Sequence, residues 1–80
     1  MDYKFNRNMD EAIDIVYDWE DNYGLNLVEL QFGDDDFMSW EITQGNPRLR
    51  GIKDLQEQLY NINFDLGFDE SSFVLTIFPF

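Results

Sequence analysis

Four aspartates, Asp10, Asp14, Asp18 and Asp21, stand 4, 4 and 3 residues apart, and Asp34, Asp35 and Asp36 run consecutively. Acids in this density have three chemistries open to them: holding a divalent cation, acid–base catalysis, or meeting the positive charges of a partner. The first has one concrete form here. Asp18, Glu20, Asn22, Gly24, Asn26 and Glu29 occupy positions 1, 3, 5, 7, 9 and 12 of a calcium-loop count. That loop needs glycine at position 6, where this chain has Tyr23, and a helix afterwards, where a strand-like pattern follows. It is not an EF-hand, and an Asp34 to Asp36 turn would bind Mg²⁺ or Ca²⁺ no better than other acidic turns do.

Catalysis is poorly served. The chain has no His and no Cys, which removes thiol nucleophiles, disulfides and the usual zinc sets. No Gly-rich phosphate loop is present, and the hydroxyl residues lack a base partner. Paired carboxylates can cleave glycosides, but 80 residues leave little room for a cleft. The expectation is a protein that is not an enzyme and uses no cofactor or metal.

The third chemistry fits the charge map. Seventeen Asp and Glu face five Lys and Arg, a net charge of −12. Residues 1–7 carry +1. Residues 8–47 hold eleven acids and no Lys or Arg. Residues 48–80 hold five acids against Arg48, Arg50 and Lys53. A chain so charged repels phosphate, so nucleic acid is not an expected direct partner. With 44% hydrophobic and 18% aromatic residues it is no disordered acidic tail. No apolar run reaches the roughly 20 residues of a membrane span. Met1-Asp2-Tyr3-Lys4-Phe5 lacks the apolar stretch of a signal peptide, which makes the cytoplasm the default compartment. A domain this small without a staple needs its aromatics in the core.

The elements that position these acids follow from periodicity. Asn8-Met9-Asp10-Glu11 has the form of a capping box, Ala12, Ile15, Val16, Trp19 and Tyr23 keep helical spacing, and Gly24 stands at a C-terminal cap. Leu25 to Phe32 reads as a strand with Val28, Leu30 and Phe32 on one face. Gly33 to Asp36 is a turn, and Phe37 to Thr43 the returning strand. Asn46 and Pro47 open a second helix with Leu49, Ile52, Leu55 and Leu59 on its apolar side. Ile62 to Phe68 and Phe73 to Phe78 are two further strands. The fold class is α+β in the order αββαββ, a four-stranded, mostly antiparallel sheet with both helices on one face.

The chain is one domain, 1–80, with two αββ units at 8–43 and 44–80. An offset of 36 residues aligns Trp19 with Leu55 and Val28 with Phe64; duplication and a shared binary pattern explain this equally well. The last strand is apolar on both faces, as suits a central strand or a second interface. The alternative topology takes Tyr3 to Phe5 as a strand and Asn61 to Phe68 as loop, giving the ferredoxin-like βαββαβ order.

On a helix, Asp10, Asp14, Asp18 and Asp21 fall within a stripe of about 80°, some 16 Å long, opposite the apolar face. Asp18 and Asp21 lie near the C-terminus, where the macrodipole disfavours acids. Asp34, Asp35 and Asp36 are expected near the Asp10 end, extending the ridge, and Phe37 is the aromatic most expected to be exposed and to anchor a partner. Carboxylates about 6 Å apart can enter a channel whose spaced Lys and Arg bind phosphates. In general properties the chain resembles phage-encoded DNA-mimic inhibitors, among them anti-restriction and anti-CRISPR proteins and inhibitors of uracil-DNA glycosylase. This likeness is one of class and transfers no residue. It implies a viral, protein-binding inhibitor working in the host cytoplasm on a basic nuclease or other nucleic-acid-binding protein. An immunity protein that neutralises a basic toxin follows the same logic. The remaining readings are acidity that serves solubility alone and a homodimerising module built on the last strand and Phe78-Pro79-Phe80.

Overall fold

The computed structural model describes the backbone of residues 2–30 and 37–80, and the side chains of these from Met9 onward. The order is α1 (Asp2–Asn22), β1 (Asn26–Leu30), β2 (Met38–Gln44), α2 (Arg48–Tyr60), β3 (Phe64–Asp69) and β4 (Val74–Pro79). This is the expected αββαββ α+β fold. The ferredoxin-like alternative fails at both points on which it rested, because Tyr3 to Phe5 lie inside α1 and Phe64–Asp69 is a strand. No described helix is long and apolar enough to cross a membrane.

The four strands form one sheet in the order β1-β2-β4-β3, with every pairing antiparallel. The strand that is apolar on both faces, β4, takes a central position. Its Leu75 and Ile77 join Trp40 and Ile42 of β2 and Phe64 and Leu66 of β3 on the face that packs against the helices. From α1 come Met9, Ala12, Val16 and Trp19, and from α2 Leu55 and Leu59. Both helices thus share one face, and the sheet's other face carries Val28, Glu41, Thr76 and Phe78.

The register of the β1–β2 pair decides what β1 buries. Leu27 lies opposite the core residue Ile42 and packs toward the core, whereas Val28 lies opposite Glu41 and Leu30 opposite Ser39, away from the helices. Asn26 pairs with Gln44, so β2 has one extra residue at this end, as in a bulge. The 36-residue offset accordingly aligns Val28, which is 47% exposed, with Phe64, which is 1% exposed. The two αββ units repeat in element order but bury opposite phases of their strands.

Helix α1 starts at Asp2, so Asn8 is an interior residue and not the cap that Asn8-Met9-Asp10-Glu11 suggests. Residues 2–7 contain neither Gly nor Pro, and nothing in them stops a helix from running through the capping pattern. Its other end matches expectation. Gly24 adopts φ +64°; Leu25 N–H donates to the Glu20 carbonyl at 2.9 Å and Gly24 N–H to the Asp21 carbonyl at 3.3 Å, the paired bonds of a Schellman motif. At α2 the cap position falls on Pro47 and not on the expected Asn46, although Asn46 Oδ1 accepts the Arg48 N–H at 2.9 Å.

The helices are tied by a buried hydrogen bond from Trp19 Nε1 to the Gly51 carbonyl, 2.9 Å. Gly51 permits this close crossing: a Cβ there would lie 3.1 Å from Tyr23 Cε2 and 3.3 Å from Pro47 Cβ. Tyr23 then donates its hydroxyl to Asp54 Oδ2 at 3.0 Å. Both edge strands have a backbone donor occupied by a carboxylate. Glu20 Oε2 accepts the Leu27 N–H of β1 at 2.8 Å, and Asp65 Oδ1 accepts the Leu66 N–H of β3 at 2.7 Å.

Two outcomes test this account of the helix pair. Trp19→Phe removes the bond to Gly51 and part of a filled volume, and is expected to cost about 1–3 kcal/mol, read as a lower urea midpoint with an unchanged m-value. The hydrogen bond to Asp54, with desolvation and the Asp54 charge, holds the Tyr23 phenol above its ordinary pKa, against a lowering by Arg50. The stability linked to Tyr23 is therefore present below the unfolded-state pKa and lost as pH rises through the folded one. A near-ultraviolet titration should show one phenol ionising late in the parent and returning to the ordinary range in Asp54→Ala.

Candidate functional site

Helix α1 has one stripe to bury, and that stripe fixes where everything else points. With Met9, Ala12, Val16 and Trp19 in the core, rotation by 100° per residue sets Asp10, Asp14, Asp18 and Asp21 on the diametrically opposite side. All four are exposed. Along the axis they are spaced about 6, 6 and 4.5 Å, a line of about 16 Å on a rigid element. Glu11, also exposed, widens the stripe. No basic residue occupies the last turn of α1, and the first cation after Arg7 in the sequence is Arg48. Residues 8–47, which hold all of the ridge, thus supply no cation of their own to offset it.

Glu20 does not belong to it, since its carboxylate is spent on the Leu27 N–H. The same residues that raised a calcium-loop count lie partly in α1 and partly in β1, with the Schellman turn between them. Among the described residues, no group of three or more acidic side chains is placed to hold a metal ion.

No family model, curated protein or solved structure matches the chain.

Of the sequence-predicted site residues, the structure brings Asp10, Asp14, Asp18 and Asp21 onto one line. Asp34, Asp35 and Asp36 lie outside the described residues. Phe37 directly precedes β2 and is half-buried. In sequence it is in step with Ser39 and Glu41 of β2, whose side of the sheet faces away from the helices. That side is not plain solvent surface either: Ser39 is 2% exposed, and its hydroxyl pairs with the Thr76 hydroxyl at 2.8 Å.

Tyr17 is the residue that sequence reasoning missed. It is 43% exposed and flanks the ridge, three residues after Asp14 and four before Asp21, positions that share one helix surface. Its ring meets Trp40 edge-on, with centroids 6.1 Å apart and an interplanar angle of 78°. Trp40 is fully buried, and its Nε1 has no hydrogen-bond partner among the described residues. A tyrosine anchored at one edge and open at the other suits a contact surface. The i, i+3 and i, i+4 spacing from two ridge aspartates was the available signal.

Like charges at i, i+4 each cost a helix a few tenths of a kcal/mol, and this cost is screened by salt. Thermal unfolding should therefore shift to higher temperature as NaCl is raised from low to physiological ionic strength. The combined variant Asp10→Asn, Asp14→Asn, Asp18→Asn and Asp21→Asn should unfold at the same or a higher urea concentration than the parent, with a weaker salt response. A destabilised variant would mean that the four carboxylates support the fold.

Proposed function

We propose that this protein is an acidic, protein-binding inhibitor whose α1 face takes the place of nucleic-acid phosphates on a basic nucleic-acid-binding protein. The observation that carries the reading is the line of four exposed aspartates on the side of α1 opposite the core, in a 40-residue stretch, 8–47, without Lys or Arg. Phosphates follow one another at about 3.4 Å per strand. A protein channel that meets several of them with spaced Lys and Arg offers counter-charges at intervals that carboxylates about 6 Å apart can reach. Rigidity favours such a contact, because a helix presents its charges without a further ordering cost. Long-range attraction would speed the encounter, and Tyr17 supplies an apolar contact beside the charge. Asp34, Asp35 and Asp36 add three charges to the same acidic half of the sequence. In this reading the protein acts in the cytoplasm of a host cell against a defence nuclease or a related enzyme, as phage anti-defence proteins do.

Tagged protein captured with nuclease-treated host lysate and eluted with a salt gradient is expected to release a basic nucleic-acid-binding protein at a few hundred millimolar salt. A DNA or RNA oligonucleotide should displace the same partner, and the captured enzyme should lose activity in the complex. The four-Asn variant should bind at least about a hundredfold more weakly, equivalent to roughly 0.7 kcal/mol per carboxylate. Undiminished binding by that variant would reduce the ridge to solubilising surface. A partner that resists salt would move the interface to the open sheet face.

A further inference from the structure

We propose that the corner between the start of α2 and the β3–β4 turn binds a small apolar α-amino acid. This inference does not rest on the α1 reading. A cavity of about 290 Å³ lies here, walled by Leu49 and Ile52 of α2 and by Phe68 and Phe73 of the hairpin, with Arg48 and Glu70 also lining it. The two rings are 5.8 Å apart. Leu49, 71% exposed, is the most exposed large apolar side chain among the described residues, although its spacing places it on the apolar side of its helix.

The backbone of this corner is held in a costly conformation at two of the lining residues. Arg48 has φ +62° and Phe73 φ +58°, in the left-handed region that a side chain with a Cβ disfavours. Glycine would make either turn without strain. Instead, Phe73 is pinned on both sides of its peptide, donating its N–H to the Asp69 carbonyl at 2.8 Å and accepting the Ile42 N–H at 2.9 Å. Arg48 is fixed through its N–H to Asn46 Oδ1. Strain held in this way by the surrounding structure is a feature of ligand sites, and here it sets a guanidinium and an aromatic ring at one cavity.

Size and charge define the ligand class. A volume of 290 Å³ equals about ten waters, the small end of ligand cavities. It takes the about nine to twelve non-hydrogen atoms of free leucine or phenylalanine and excludes a nucleotide or a sugar chain. The side chain lies among the four apolar walls, the carboxylate pairs with the Arg48 guanidinium, and the ammonium faces Glu70. Three of the five Lys and Arg of the chain fall within residues 48–53, the most basic stretch of a molecule of net charge −12.

Amide resonances of the whole chain should be followed by NMR during titration with L-phenylalanine and L-leucine, then with phenethylamine, phenylpropionate and glycine. The expected result is saturable shifts centred on residues 48–52 and 68–73 for the two amino acids. Phenethylamine, lacking the carboxylate, and phenylpropionate, lacking the ammonium, should each bind at least about fivefold more weakly, and glycine should leave the spectrum unchanged. Arg48→Gly relieves the positive φ angle at that position and should keep the fold while weakening binding at least tenfold. The proposal is overturned by absent or displaced shifts, by an amine that binds as well as its amino acid, or by a folded Arg48→Gly that binds like the parent. Because binding is read on the isolated chain, failure here leaves the α1 reading standing, and loss of protein capture leaves this one standing.

Discussion

The Trp19 indole is the contact on which the arrangement of the helix layer depends. It fills the space between the helices and the sheet, and its N–H reaches across to the Gly51 carbonyl. With that bond Trp19 anchors the apolar stripe that sets the roll of α1 about its axis. Once Trp19 points inward, Val16, Ala12 and Met9 must follow within a turn or two, and the aspartates are carried to the outside. The roll of the helix and the exposure of its acids are thus one decision. Gly51 is its counterpart on α2, since a larger residue there would push against Tyr23 and Pro47 and open the crossing.

Within this frame the acidic side chains divide by what they touch. Glu20, Asp54, Asp65 and Asp69 each accept a hydrogen bond inside the molecule. Asp69 takes both the N–H and the hydroxyl of Ser71 in the β3–β4 turn. These bonds to Ser71, with a further pair to Ser72, hold its carboxyl below the usual range against a small desolvation effect. Its contribution to stability is therefore present above the unfolded-state pKa and is lost as pH falls through the folded one. The ridge aspartates have no such bonds among the described residues. Charge that stabilises and charge that is offered outward are held by different residues.

Much of this was legible in the sequence because hydrophobic period and turn chemistry agreed there. Gly24 ended α1, Asn46 and Pro47 marked the entry to α2, and the two-sided apolarity of β4 marked a central strand. What was not legible depended on tertiary events. The capping pattern at Asn8 was overridden because nothing before it stops a helix. The pairing of Leu27 with Ile42 set Val28 and Leu30 opposite Glu41 and Ser39 on the far face, and such a register is fixed only when the strands meet. Phe64 and Val28 look alike in a binary pattern and end on opposite sides of the sheet for that reason. In the site, the helical stripe followed directly from 4-4-3 spacing. Tyr17 escaped because a single aromatic between acids shows its exposure only when the roll of the helix is known.

The two carboxylates at the sheet edges bear on how this fold can assemble. An open edge strand is a template for polymerisation, since a further strand needs only free backbone donors and acceptors. Here an incoming strand would have to evict Glu20 from β1 or Asp65 from β3 before it could add. Repulsion between whole molecules fades within about 10 Å at moderate salt, whereas a donor already occupied at 2.7–2.8 Å stays occupied. Strand addition at either edge therefore has a carboxylate to displace before the backbone can pair.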